Sequence, residues 1–290
     1  MNTREGSDPG TRRTRTTALA VALVAVALVG VTLSCAPTPT QPPGPTPARW
    51  LFAPTPFLVD EFSTDGPIDP AVWFASDYLR DAAYLTSRQK NVRVEGGHLT
   101  IEAHAEDLGG ARFTSAMIET HEAFLHGRFV ARMKFPLGAG TWPAFWLCCR
   151  DGWPDGGEID VVEHYAGDGS AFDTATGLAE SNVHSSRDPL TGSTSRGRLT
   201  RTRVDATQWH TYAVDWAPDE IRFYVDDQLT AIHRQSDYAS ANGGWPFDSH
   251  PEAVLFDLFV GGPAGAVNSA AMPQQLQVDW VHGYHLLGPA

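Results

Sequence analysis

The stretch Gly157-Glu158-Ile159-Asp160-Val161-Val162-Glu163-His164 sets three carboxylates within six residues and spaces them with β-branched side chains, which favour a strand over a helix. In an extended strand, side chains two apart share a face, so Glu158 and Asp160 point the same way, roughly 7 Å apart along the backbone. Regular alternation turns Glu163 to the opposite face. One extra residue at Val161-Val162 reverses that, because a β-bulge sets two residues against one and shifts the alternation by a position. All three acids then line one surface. Two carboxyl groups about 5 to 5.5 Å apart on one surface are what a retaining glycosidase needs. Two readings without catalysis stand beside this one: a solvated strand face that carries Glu158 and Asp160, and a calcium cluster, which a stiff Ile/Val strand serves poorly.

The surroundings of the acid strand carry further information. Upstream run Gly140-Thr141-Trp142-Pro143-Ala144-Phe145-Trp146-Leu147 and Trp153-Pro154-Asp155-Gly156-Gly157. Downstream come Trp209-His210-Thr211-Tyr212-Ala213-Val214-Asp215-Trp216, Ile221-Arg222-Phe223-Tyr224-Val225-Asp226, Trp245-Pro246-Phe247-Asp248, Val260-Gly261-Gly262 and Val278-Asp279-Trp280-Val281. In this order the set resembles glycoside hydrolase family 16, the family of laminarinases, lichenases, agarases and carrageenases, over about Phe57 to Leu286. The fold implied is all-β, a jelly-roll sandwich of two curved antiparallel sheets whose concave face forms a substrate cleft. Short alternating runs such as His98-Leu99-Thr100-Ile101-Glu102-Ala103 and Arg128-Phe129-Val130-Ala131-Arg132-Met133-Lys134-Phe135 agree with that class.

The resemblance also implies roles. Glu158 becomes the nucleophile, Glu163 the acid and then the base, and Asp160 the carboxyl that tunes their protonation. Trp142 and Trp146, four apart on one strand face, form a flat platform for sugar rings, and Trp153 and Trp245 are expected to join them in the cleft. His184, in Asn182-Val183-His184-Ser185, resembles a cleft histidine. No cofactor is implied for catalysis. A structural calcium is implied at Glu61, the Gly97 carbonyl and Asp279. The chain departs from the laminarinase pattern at Met117, where Arg is usual, and at Asp257, where Asn is usual. Both departures bear on which sugar is bound, not on hydrolysis.

The chain has 290 residues. The first 34 read as a signal peptide: Arg12, Arg13 and Arg15 precede an apolar run from Ala18 to Leu33, short for a membrane span. Residues 35–49 read as a Pro/Thr-rich linker, and 50–290 as one catalytic domain. Leu33-Ser34-Cys35 resembles a lipoprotein signal, with Cys35 lipidated after export, so the protein is expected outside the cell or on its surface, touching membrane only through that anchor. Cys148-Cys149 read as small buried residues, since neighbours on a strand point apart and bridge poorly.

Charge bounds the partners. There are 21 basic and 34 acidic residues, a net charge of −13. Removing the first 34 residues takes away four arginines and two acids and leaves −15. Such a surface repels nucleic acid and anionic polymers, so a neutral β-linked polysaccharide, bound by a monomer, is the expected partner. Arg187, Arg196, Arg198, Arg201 and Arg203 crowd one segment against that trend, as solvated loop charge or as a subsite for an anionic sugar.

The sequence therefore leads to an exported retaining endo-glycosidase acting on β-1,3- or β-1,3-1,4-glucan. A bacterial exopolysaccharide or marine galactan hydrolase, a transglycosylase, and a glycan-binding lipoprotein without catalysis remain as alternatives. The presence of both Glu158 and Glu163 favours the enzyme.

Overall fold

The alternation seen in the sequence becomes a sandwich because each long strand has one apolar face to bury. In the Thr141–Cys148 strand, Phe145 and Leu147 point into the core, while Trp142, Ala144, Trp146 and Cys148 point out of it. In the Ala253–Val260 strand, Val254, Phe256, Leu258 and Val260 point inward and leave Asp257 and Phe259 on the outer side. A computed structural model describes residues 50–148, 150, 152–166, 178–185, 199–238 and 245–290. The signal segment, the linker with Cys35, Cys149, Arg187, Arg196 and Arg198 lie outside the described residues.

The site is carried by a seven-stranded sheet. Its order is Thr200–Arg203, Leu178–His184, Glu158–Glu163, Thr141–Cys148, Ala253–Val260, Met117–Thr120, Trp73–Ala75, with every pairing antiparallel. Behind it lies an eleven-stranded sheet in which the Gln274–Tyr284 strand pairs with Gly127–Lys134 on one side and with His98–Leu108 on the other. A small two-stranded ribbon joins Trp50–Phe52 to Leu286–Pro289. This is the all-β jelly-roll expected, with one parallel pair, Ala83–Leu85 against Ala111–Ser115. Among the described residues no helix is long and apolar enough to cross a membrane.

Trp73, Trp216, Tyr212, Phe129, Phe145, Phe223, Phe247 and Phe256 fill the space between the sheets, all fully buried. Each such aromatic contributes about 2–3 kcal/mol through burial, so the scaffold under the catalytic sheet is stiff. One turn shows how the core fixes the site. Gly157, directly before Glu158, has φ +95°, and a Cβ there would stand 2.7 Å from the Phe247 ring. Only glycine lets the chain enter the acid strand this close to the core.

Candidate active site

The expected bulge is present. On one side of the acid strand Trp146 pairs with Asp160 and Phe145 with Val162, which leaves Val161 without a counterpart. On the other side Asn182 pairs with Asp160 and Glu180 with Glu163, so three steps along the acid strand match two on its neighbour. Ile159, Val161 and Val162 are buried in the core, and Glu158, Asp160 and Glu163 all line one cleft with a volume of about 530 Å³. The bulge therefore does what its position in the sequence required: it turns Glu163 onto the face of Glu158.

Register then lays the cleft floor out in rows. One row runs Asp257, Ala144, Glu163, Glu180, Arg201 across five strands. A second runs Leu255, Trp146, Asp160, Asn182, and a third Ala253, Cys148, Glu158, His184. Neighbours within a row are about 4.8 Å apart, the strand spacing. The three acids are thus surrounded by side chains from both adjacent strands.

Each acid has its own environment. Glu163 is buried, and its Oε1 accepts from the Trp142 indole N–H at 2.7 Å and from the Tyr165 hydroxyl at 2.7 Å. Burial outweighs these two bonds and, with the charge of Glu158, pushes its carboxyl up to about 7. Both bonds fall on one oxygen, so Oε2 is the oxygen left to carry a proton toward a substrate. Asp160 is pushed well above the usual carboxylate range by burial and then by the charges of Glu163 and Glu158. Its Oδ2 lies 3.0 Å from His184 Nε2. Burial pulls His184 down, yet Asp160, Glu158 and Glu163 together raise it to about 10. Glu158 accepts from the Trp153 indole N–H.

The cluster titrates as one system, since a proton gained by one member changes the charge felt by the others. Donor atoms of Glu158, Asp160 and His184 lie within 4.8 Å of one another, close enough to hold a metal ion. Asp160 and His184 already serve each other, and the set fits a hydrogen-bonded acid cluster better than an open oxygen cage.

Trp142, Trp146 and Trp153 line the cleft as expected, and Trp153 is 48 % exposed. Trp245 does not. It is buried against Tyr238 and Phe247, and its indole donates to the Pro218 carbonyl at 2.6 Å. Its motif position gave no information about which face it takes. Cys148, expected in the core, lines the cleft instead, because it alternates with Leu147. The residues named for calcium have partners within the protein. Asp279 is bonded to Arg132 and faces His98 at 3.6 Å, while Glu61 meets His282 Nε2 at 2.6 Å. Gly97 turns its N–H toward Asp65 at 3.4 Å. Both carboxylates thus meet basic side chains of the protein itself.

Several lining residues escaped the sequence reading: Arg80, Asp81, Tyr165, Glu180, Asn182 and Phe259. Glu180, Asn182 and His184 recur every second residue in Glu180-Ser181-Asn182-Val183-His184, a polar alternation that marks one strand face and was available as a signal. Glu180 is fully buried and bonded to Arg201 at 2.7 Å, which matches its charge.

Comparison with known proteins agrees with this geometry. Residues 79–282 match the family model of Glycosyl hydrolases family 16. The chain belongs to this family. It is therefore a glycoside hydrolase with a polysaccharide substrate, and enzymes of family 16 generally need no cofactor for catalysis. A β-glucanase of Rhodothermus marinus is 36% identical over 248 residues, 78% of this chain and 83% of the relative. The crystal structure of the laminarinase from Rhodothermus marinus superposes with a TM-score of 0.71 at 33% identity, covering 83% of this chain and 100% of that one. A keratan-sulfate endo-1,4-β-galactosidase of Sphingobacterium multivorum is 29% identical over 242 residues, 78% of this chain but 54% of the relative, so this family 16 chain spans about half its length.

Proposed function

We propose that this family 16 enzyme is an exported retaining endo-β-glucanase that cleaves neutral β-1,3- or mixed β-1,3-1,4-linked glucan within the chain. The observation that carries the mechanism is the bulge, which gathers Glu158 and Glu163 in one cleft while burial keeps Glu163 protonated up to about pH 7. In the first step the Glu158 carboxylate attacks the anomeric carbon, and the Glu163 proton goes to the departing glycosidic oxygen. The covalent glycosyl-enzyme forms as that bond breaks. In the second step Glu163, now ionised, takes a proton from water, whose oxygen displaces Glu158 at the same carbon. Two inversions retain the β configuration. His184, whose Nε2 lies 3.0 Å from Asp160 Oδ2, stands beside the charge that passes between the acids.

Charge and shape support a neutral substrate. Glu158, Asp160, Glu163, Glu180, Asp257 and Asp81 line the cleft, with Arg80 as the cation among the described lining residues besides His184. Arg201, from the basic segment, is bonded through Nε to Glu180, whose charge it offsets. Tryptophan faces suit the apolar faces of glucose rings. The Rhodothermus marinus relatives, a β-glucanase and a laminarinase, point the same way, whereas the keratan-sulfate relative marks the contrary case.

One experiment tests both parts. Laminarin, mixed-linkage glucan, keratan sulfate and a sulfated galactan are digested side by side, with product masses and early proton NMR recorded. Internal cleavage of laminarin with the β-anomer appearing first is the expected result. An α-anomer first would remove the two-step mechanism, and preference for a sulfated chain, weakened by salt, would overturn the glucan assignment.

We also infer anchorage at Cys35, from the apolar run that ends beside it and the Pro/Thr linker that follows. Cys35→Ser should leave the signal uncleaved or release the protein from membranes. A wild-type protein that starts at a residue other than 35 and appears in the medium contradicts the anchor.

A further inference from the structure

Asp257 is a fully buried carboxyl on the cleft side of the catalytic sheet, and the hydrolytic steps do not use it. It stands opposite Ala144, between Trp142 and Trp146 in the facing strand. The small Ala144 leaves the room that its side chain fills. Asp257 Oδ2 accepts from the Trp146 indole N–H at 2.6 Å, and Oδ1 accepts from the Phe259 backbone N–H at 3.3 Å. Phe259 meets the Trp142 ring edge-on, with centroids 5.4 Å apart, and Trp142 in turn holds Glu163. A single carboxyl thus braces both tryptophans.

We propose that Asp257 is a positioning residue that sets the sugar-stacking platform, fixing Trp146 directly and Trp142 through Phe259, so that glycan affinity depends on it although it touches no substrate. The proposal rests on the reading of this cleft as a glucan site. The charged groups that act on Asp257 are Arg80 and Glu163, and Tyr78 in turn feels the charge of Asp257. Arg80 is tied to Asp81 at 3.2 Å and lies over the Phe259 ring at 4.8 Å, so its charge is shared. Burial, with Glu163 adding to it, raises the Asp257 carboxyl well above the usual range.

The indole N–H signals of ¹⁵N-labelled protein test the bracing without any glycan. The Trp146 signal, identified by its loss in Trp146→Phe, should exchange with water far more slowly than that of exposed Trp153. Exchange as fast as that of Trp153 overturns the proposal. In a Glu158→Ala parent, Asp257→Leu should weaken binding of a laminari-oligosaccharide about tenfold, since it leaves a buried indole donor without an acceptor. Asp257→Asn offers an amide oxygen to Trp146 but gives up the Phe259 bond, and should recover affinity to within about threefold of the parent. Equal binding by the Leu and Asn variants overturns the positioning role. Slow exchange together with no glucan binding by the parent supports the bracing and removes the glucan reading alone.

Discussion

Glu158→Ala lowers kcat/KM by at least about a thousandfold, a loss of about 4 kcal/mol of transition-state stabilisation, and leaves oligosaccharide binding within a few-fold. The size follows from the step the proposed mechanism loses: without the carboxylate no glycosyl-enzyme forms, whereas Trp142 and Trp146 are bonded to Glu163 and Asp257 and keep those partners. The fold should persist, because Glu158 is only partly buried and its bonded neighbour Trp153 is half exposed. Azide restores part of the activity by attacking the same anomeric carbon from the space the side chain vacates, and its product is the α-glycosyl azide. The variant carries a second signature. The charge of Glu158 is one of the causes that raise Glu163, so its removal lowers the Glu163 carboxyl below about 7, and the azide reaction should lose rate at lower pH than the wild-type reaction does. Near-normal hydrolysis by Glu158→Ala, measured by reducing-end release, would take Glu158 out of the mechanism.

What the sequence disclosed and what it hid follow from the same geometry. The acid strand was legible because its spacing is local: positions 158, 160 and 163 violate simple alternation, and a bulge at 161 is the smallest repair. Trp142 and Trp146 were legible for the same reason, being an even number of residues apart. Asp257 stood out as a departure from the family pattern, yet its place between two tryptophans depends on the register of one strand against another, which no single segment encodes. Glu180 and Arg201 pair across strands 21 residues apart, and Arg80 reaches the cleft from the other sheet. Trp245 shows the opposite error. A motif named it, but its ring found the larger gain in the core beside Phe247, where the indole N–H also found an acceptor.

Glu163→Gln separates proton donation from every other duty of that residue. The two bonds that Glu163 accepts both fall on Oε1, so a glutamine can keep them through its amide oxygen and place its NH₂ where Oε2 stood. Trp142 and Tyr165 therefore stay in place while the proton is lost. On laminarin kcat/KM should fall about 10²- to 10⁴-fold, the usual range for general acid catalysis, and much less on an aryl glycoside whose leaving group needs little protonation. The pH dependence gives the sign. In the wild type Glu163 is protonated and active below about 7, and the rate falls as pH rises through that value; in the variant, assayed on the aryl glycoside, this limb should vanish. Stability moves with it. The unfolded carboxyl titrates near 4.5 and the folded one near 7, so between these values the folded wild type binds more protons, and its stability declines as pH rises. The glutamine escapes that decline, and its melting temperature should gain on the wild type between pH 4.5 and 7. A limb that persists unchanged in Glu163→Gln would belong to a different group, and Glu163 would lose its role as the acid.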